Sequence, residues 1–140
     1  MKDFDKWNDV KKRVNARDDM EIYFHEGDVV WSSMGLNIGY EEDGKGDEYK
    51  RPVLIIKKFN KNLFWGLSLT SKAKSNKYHI PIKVKEGKES YVIISQIKLF
   101  DKKRILQKIR NISKAELNFI KSEVIKILNP IIADEVKPLQ

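Results

Sequence analysis

The side chains with the most chemical reach in this 140-residue sequence are cations, aromatic rings and carboxylates, and there is no thiol. Arg51 directly precedes Pro52 and the apolar run Val53-Leu54-Ile55-Ile56. That places a guanidinium at a strand entrance where proline restricts the backbone in front of it. Its planar fork of donors suits a phosphate or a carboxylate. Further on, Thr70 and Ser71 offer hydroxyls at the end of a second apolar run, Leu63 to Leu69. Lys57, Lys58, Lys72, Lys74 and Lys77 are interleaved with Phe64, Trp65 and Tyr78, a mixture that supplies cations for phosphates and rings for stacking bases. Glu41, Glu42 and Asp43 form an acidic cluster that could accept a proton or repel an anion. His25 and His79 are the two histidines, and two imidazoles can divide acid and base roles between them. An isolated histidine is more often structural or exposed. Without cysteine, and without a carboxylate cluster to complete a histidine set, no metal site and no cofactor are expected.

These groups must be positioned by the elements around them. Phe4, Trp7, Val10 and Val14 recur at near-helical spacing behind Asp3, a capping residue type, and predict an amphipathic helix over residues 4–16. From Gly27 the pattern turns to short β-rich runs: 28–31, 53–56, 63–69, 78–84 and 91–94. A long glycine- and acid-rich loop over 35–50 follows the first of them, and ordered loops of such length tend to be functional. Phe64 and Trp65 are adjacent on one run, so one faces inward and one outward; Trp65 is taken as the core residue. Residues 101–109 read as a short turn or helix. Ser113 and Glu116 make a capping box ahead of Leu117, Ile120, Val124, Ile127 and Leu128, the apolar face of a last helix that Asn129 and Pro130 end. The expected architecture is mainly β: a small antiparallel barrel or sandwich with a helix at each end. Residues 1–26 form a helical extension and residues 27–140 the barrel with its C-terminal helix.

Charge narrows the partners. The formal net charge is +8, unevenly spread: residues 21–50 carry two basic and eight acidic side chains, residues 51–110 sixteen basic and three acidic. Basicity concentrated in the middle favours a polyanionic partner, because each phosphate neutralised releases counterions. A lysine-rich surface serving solubility is the bland alternative. The charged N-terminus fits neither a signal peptide nor a membrane span, so a soluble cytoplasmic protein without a membrane partner is expected.

The order of motifs is more specific than any one of them. Gly27-Asp28-Val29-Val30-Trp31 is followed by the glycine-containing loop, by Arg51-Pro52-Val53-Leu54-Ile55-Ile56, by Leu69-Thr70-Ser71-Lys72, by Ser95-Gln96-Ile97-Lys98, by Asp101-Lys102-Lys103-Arg104-Ile105 and by the capped helix. In this arrangement the chain resembles the MazF/PemK toxins from residue 27 to about 128. The resemblance implies an SH3-like barrel with added helices, a homodimer, a small cognate antitoxin, and a toxin that cuts single-stranded RNA, mRNA included, in a sequence-selective and metal-independent way. The loop over 35–50, longer and more acidic than is usual in the family, and the extension over 1–26 are departures that bear on substrate choice.

RNA can be cut without metal when its 2′-hydroxyl attacks the adjacent phosphorus, provided one group takes the proton, another protonates the leaving oxygen and cations stabilise the crowded phosphate. The resemblance puts Arg51 at the family's catalytic arginine, Thr70 at its catalytic hydroxyl, and Glu41 at its acidic loop position, with Glu42 and Asp43 as competitors. It also matches Ser95 and Gln96 to the family's Ser-Gln pair, with Gln96 contacting RNA or bracing the site. Ser71, Lys72, Lys74, Lys77 and Lys57 complete the expected RNA ligands. Two rivals stay open at this point: a non-catalytic toxin on the same barrel that poisons DNA gyrase, and a plain nucleic-acid-binding barrel.

Overall fold

The structure, a computed structural model, describes residues 1–18, 21–72, 74–85 and 88–129. The tail from Pro130 onward, assigned above to the second unit, lies outside them. Helix α1 spans Phe4–Asn15, opened by Asp3, whose carboxylate accepts the Lys6 N–H at 3.0 Å. Six strands follow: β1 Asp28–Ser33, β2 Lys50–Lys58, β3 Leu63–Thr70, β4 His79–Lys85, β5 Lys88–Asp101 and β6 Ile105–Asn111, with helix α2 over Lys114–Leu128 at the end. The Ser113–Glu116 capping box forms as its residue types require, with the Ser113 hydroxyl accepting the Glu116 N–H at 3.1 Å. No described helix is long and apolar enough to cross a membrane.

All pairings are antiparallel, and the sheet order is β4-β5-β3-β2-β1-β6. The fold is mainly β with a helix at each end, as expected, but the described hydrogen-bond ladder is open. The edge strands β4 and β6 are tied by a side chain: the Arg110 guanidinium donates to the Lys83 carbonyl. The sheet is buried on both faces. One face packs Val29, Leu54, Leu67, Leu69, Val92 and Ile94 beneath Leu117 and Ile120 of α2; the other packs Val30, Val53, Ile55, Phe64, Phe100 and Phe24. Two-sided burial explains why β2 reads as an unbroken apolar run and not as an alternation.

Two expectations need correction. Residues 101–109 contain a single 3₁₀ turn at Lys102–Arg104, after which Ile105–Asn111 is a strand. Pairing with β1 overrides a sequence without clean alternation, and the two register shifts in that pairing show why alternation is missing. Trp65 is not the core residue. Phe64 is buried between Phe24 and Phe100, while Trp65 is 44% exposed and meets Phe59 edge-on. The slender core between Phe24 and Phe100 takes the smaller ring.

Helix α1 is a satellite of the sheet. Trp7 and Val10 are buried against Tyr49, with Val14 and Leu36 at the margin. Trp7 lies flat on the backbone of Gly35, where a Cβ would stand 2.2 Å from the ring, so a residue without a side chain is required there. The loop from Met34 to Tyr49 is internally fastened: the N–H groups of Met34 and Gly35 both donate to the Tyr49 carbonyl, and Gly44 donates to Gly35. At Gly44 a Cβ would meet the Tyr49 carbonyl oxygen at 1.6 Å, so the two arms of the loop could not close with any other residue.

Candidate active site

Sheet register brings the expected residues together. Val53 of β2 pairs with Ser68 of β3. Continued by two residues, that antiparallel register sets Arg51 level with Thr70. The Arg51 guanidinium donates from Nη1 to the Leu69 carbonyl at 3.0 Å, which locks the side chain across the strand pair. Its Nε donates to the Asp43 carbonyl at 2.6 Å, and Nη2 meets Glu42 Oε2 at 3.2 Å. Three of its five N–H groups are thereby fixed, and the side chain is 12% exposed. This guanidinium is held by the fold and is not a swinging surface cation.

Arg51, Thr70 and Ser71 line one cleft of about 300 Å³, together with Trp31, Lys50 and Lys88. The Thr70 hydroxyl accepts the Lys72 N–H at 3.2 Å, which fixes the oxygen while leaving its proton available to donate. Lys50 lies over the Trp31 ring at 4.9 Å.

The acidic loop presents Glu42, not Glu41, to the arginine. Glu41 Oε1 accepts the Ile38 N–H at 3.0 Å and closes a local turn. Asp43 is drawn the other way, to the Asn37 N–H and to Lys2 at 2.9 Å. The loop is braced from the sheet by Gln96, whose side chain accepts the Glu42 N–H at 3.4 Å and donates to the Tyr40 carbonyl at 3.5 Å. Lys98 donates to Asn37 Oδ1 at 3.3 Å. Burial, and then the neighbouring Arg104 charge, lower the Lys98 pKa from its ordinary value, against the opposing pull of Glu41.

The remaining expected ligands scatter. Lys72 follows the cleft lip and is exposed; Lys74 and Lys77 are exposed in the β3–β4 connection, where Lys77 sits over the Tyr78 ring at 5.2 Å. Lys57 lies on another surface, beside Trp65, Lys121 and Ile125. It is six residues along β2 from Arg51, on the order of 20 Å at ~3.3 Å per residue. His25 faces Asp28 and His79 faces Asn76, and neither lines the Arg51 cleft. Among the described residues no group of three or more histidines and carboxylates could hold a metal ion. Lys50, Lys88 and Trp31 entered the cleft without a sequence signal of their own, although Trp31 and Lys50 flank the glycine loop.

The site thus joins a strand-end guanidinium held by backbone carbonyls, a hydroxyl level with it, and an acidic loop paired to the guanidinium. The profile of PemK-like, MazF-like toxins of type II toxin-antitoxin systems matches residues 25–128. The chain belongs to this family. No curated relative matches it at a significant level. Among solved structures, MazF from Deinococcus radiodurans superposes with a TM-score of 0.61 at 17% identity, covering 76% of this chain and 96% of that one. An endoribonuclease in complex with its cognate antitoxin from a mycobacterial species superposes with a TM-score of 0.55 at 17% identity, covering 74% and 92%. A MazE–MazF complex from Deinococcus radiodurans gives 0.56 at 14% identity, covering 76% and 95%. These likenesses establish the MazF fold. The family match begins at residue 25, so α1 lies wholly outside it.

Proposed function

We propose that this MazF/PemK-family toxin is a metal-independent endoribonuclease acting on single-stranded RNA. The observation that carries the reading is Arg51 at the β2–β3 strand ends, which lines one cleft with Thr70 while its guanidinium pairs with Glu42 of the neighbouring depression. A phosphodiester entering the cleft competes with Glu42 for the guanidinium, since both are anions suited to the same fork. Displaced from Arg51, the Glu42 carboxylate is free to accept the proton of the ribose 2′-hydroxyl. The 2′-oxygen then bonds to its own phosphorus, the bond to the 5′-oxygen breaks, and that oxygen leaves with a proton from solvent or from the cleft rim. Arg51 and the Thr70 hydroxyl meet the negative charge that builds on the phosphate oxygens. A guanidinium, a permanent cation with no lone pair to take a proton, serves here as an electrostatic group and not as a base. The products are a 2′,3′-cyclic phosphate and a 5′-hydroxyl. DNA lacks the attacking oxygen and is not cut.

Two partners accompany the reading. The exposed apolar face formed by Trp65, Ile97 and Leu99 with Ile125, Ile127 and Leu128 of α2 is the surface we assign to a homodimer, because apolar area of this kind on one face is seldom left to water. A cognate antitoxin is the second, as in the solved MazE–MazF complexes. The test is incubation of the purified protein with a long RNA in EDTA, followed by mapping of the cut ends. Discrete cuts with cyclic phosphate and 5′-hydroxyl termini are expected. Intact RNA under these conditions would remove the reading, and DNA breaks trapped on gyrase would replace it with the poisoning mechanism.

A further inference from the structure

The extension that lies outside the family match builds a second basic groove. Between α1 and the β1–β6 edge of the sheet runs a cavity of about 470 Å³. Arg13 and Val14 of α1 with Arg17 just past its end form one wall, Gln107 of β6 another, and Trp31 and Lys50 the third side. Trp31 and Lys50 also line the Arg51 cleft, so the two depressions adjoin along a shared wall. The groove's end nearest Arg51 carries a half-buried indole with an ammonium above it, a pairing that offers a ring to a base and a charge to the neighbouring phosphate.

The two arginines differ in a useful way. Arg17 is positioned by donating to the Lys103 carbonyl. Arg13 is exposed and has no ion pair among the described residues. Lys12 and Arg13 both sit in the last turn of α1, where either could serve the helix dipole. Only Arg13 of that pair faces the groove. Glu48 is the one carboxylate among the lining side chains. A net cationic groove with an aromatic where it adjoins the Arg51 cleft fits a nucleic-acid strand better than a folded protein surface.

We propose that the α1 groove is a second RNA subsite, in which Arg13 and Arg17 hold phosphates lying beyond the scissile position. The subsite rests on the RNA reading of the Arg51 cleft. It assigns α1 a share in substrate binding: a longer strand gains contacts that a minimal one cannot reach. Trp7 and Gly35 fix α1 on the sheet, so the subsite is preformed and costs little ordering on binding.

The experiment compares cleavage of a short oligonucleotide spanning one mapped cut with cleavage of the same site inside a longer RNA, for the wild type, Lys12→Ala, Arg13→Ala and the Arg13→Ala/Arg17→Ala pair. In the wild type and in Lys12→Ala the longer RNA is favoured in kcat/KM. In the double variant that preference falls about tenfold, and in an Arg51→Ala background the log–log salt slope for binding the longer RNA becomes shallower by about 1.4, or ~0.7 per phosphate released. Arg13→Ala, which removes an exposed side chain, shows about half the slope change and decides the matter if the double variant proves unstable. An unchanged length preference and slope in Arg13→Ala, with the wild type cutting normally, overturns the subsite alone. Loss of antitoxin binding with RNA length preference intact gives the groove to a protein and also overturns it. A wild type that neither cuts nor binds RNA overturns the underlying reading instead.

Discussion

Replacing Gly35 by alanine tests whether α1 is a docked part of the working molecule. The new Cβ would stand 2.2, 2.4 and 2.8 Å from three atoms of the Trp7 ring, against the 3.4–4 Å of ordinary contact, so ring and loop must separate by more than 1 Å. The ring has nowhere to go: Tyr49 meets it edge-on at 5.4 Å, and the Arg104 guanidinium lies 6.0 Å from its centre. Overpacking of this kind costs about 1–3 kcal/mol. The left-handed backbone at Gly35, φ +81°, adds roughly 1–2 kcal/mol for a residue with a Cβ. The penalty has a ceiling, because α1 can leave. Docking rests on burial of Trp7 and Val10, each worth about 1.5–3 kcal/mol, so above about 3–6 kcal/mol release of the helix is cheaper than strain in the sheet. The overpacking that undocking would relieve offsets a large part of this docking energy, so Gly35→Ala is expected to open α1 more often while the sheet stays folded. Hydrogen exchange over residues 7–15 should rise by at least tenfold, and mild proteolysis should remove the segment before it attacks the strands. Protection over 7–15 equal to the wild type would refute the account of how the helix is held.

Four further outcomes follow from the same contacts. Glu42→Gln leaves Arg51 with its two carbonyl partners and changes stability by less than about 1 kcal/mol, as for other partly exposed ion pairs, yet lowers single-turnover cleavage by about 10²–10⁴; Glu41→Gln lowers it far less, and equal losses would return the proton-accepting role to Glu41. Asp28 is buried, which alone would raise its pKa, but hydrogen bonds from Asn111, Lys108 and the His25 N–H outweigh burial and hold it below the ordinary aspartate range. That stability is present above the unfolded value and lost as pH falls through the folded one, so Asp28→Asn should destabilise by about 1–3 kcal/mol at neutral pH and flatten the fall in Tm below about pH 4. Leu99→Asp places a charge on the apolar face beside Trp65 and Ile125 and should yield a monomer by light scattering with the sheet's circular dichroism retained. Gln96→Ala unties Glu42 and Tyr40 from β5 and should slow cleavage at unchanged Tm, through a loop that spends less time over Arg51.

Much of this architecture was legible in the chain because local chemistry and tertiary need agree. Asp3 and the Ser113-x-x-Glu116 box begin helices in any context where the following residues offer an apolar stripe. Val53 to Ile56 and Leu63 to Leu69 are apolar enough to be strands wherever they fall. Legibility failed where a partner strand or a distant contact decides. Ile105 to Asn111 becomes a strand because β1 needs an edge partner, and the bulges in that pairing erase the alternation that would have announced it. Trp65 faces outward because the space between Phe24 and Phe100 is one phenyl wide. At the site, motif order directed attention to Arg51 and Thr70, but their approach is a property of the β2–β3 register. The choice of Glu42 over Glu41 is made by Asn37, Ile38 and Gln96, whose hydrogen bonds fix the loop's turn, and no spacing along the chain encodes it.

The most direct measurement is single-turnover cleavage of a mapped RNA oligonucleotide in EDTA by the wild type and by Arg51→Ala, with RNA affinity and the thermal melt recorded on the same preparations. Removing the guanidinium is expected to cost about 10²–10³ in rate, the scale of one preorganised transition-state donor, while the fold and most of the affinity persist. Arg51→Ala cutting at the wild-type rate would contradict the central claim.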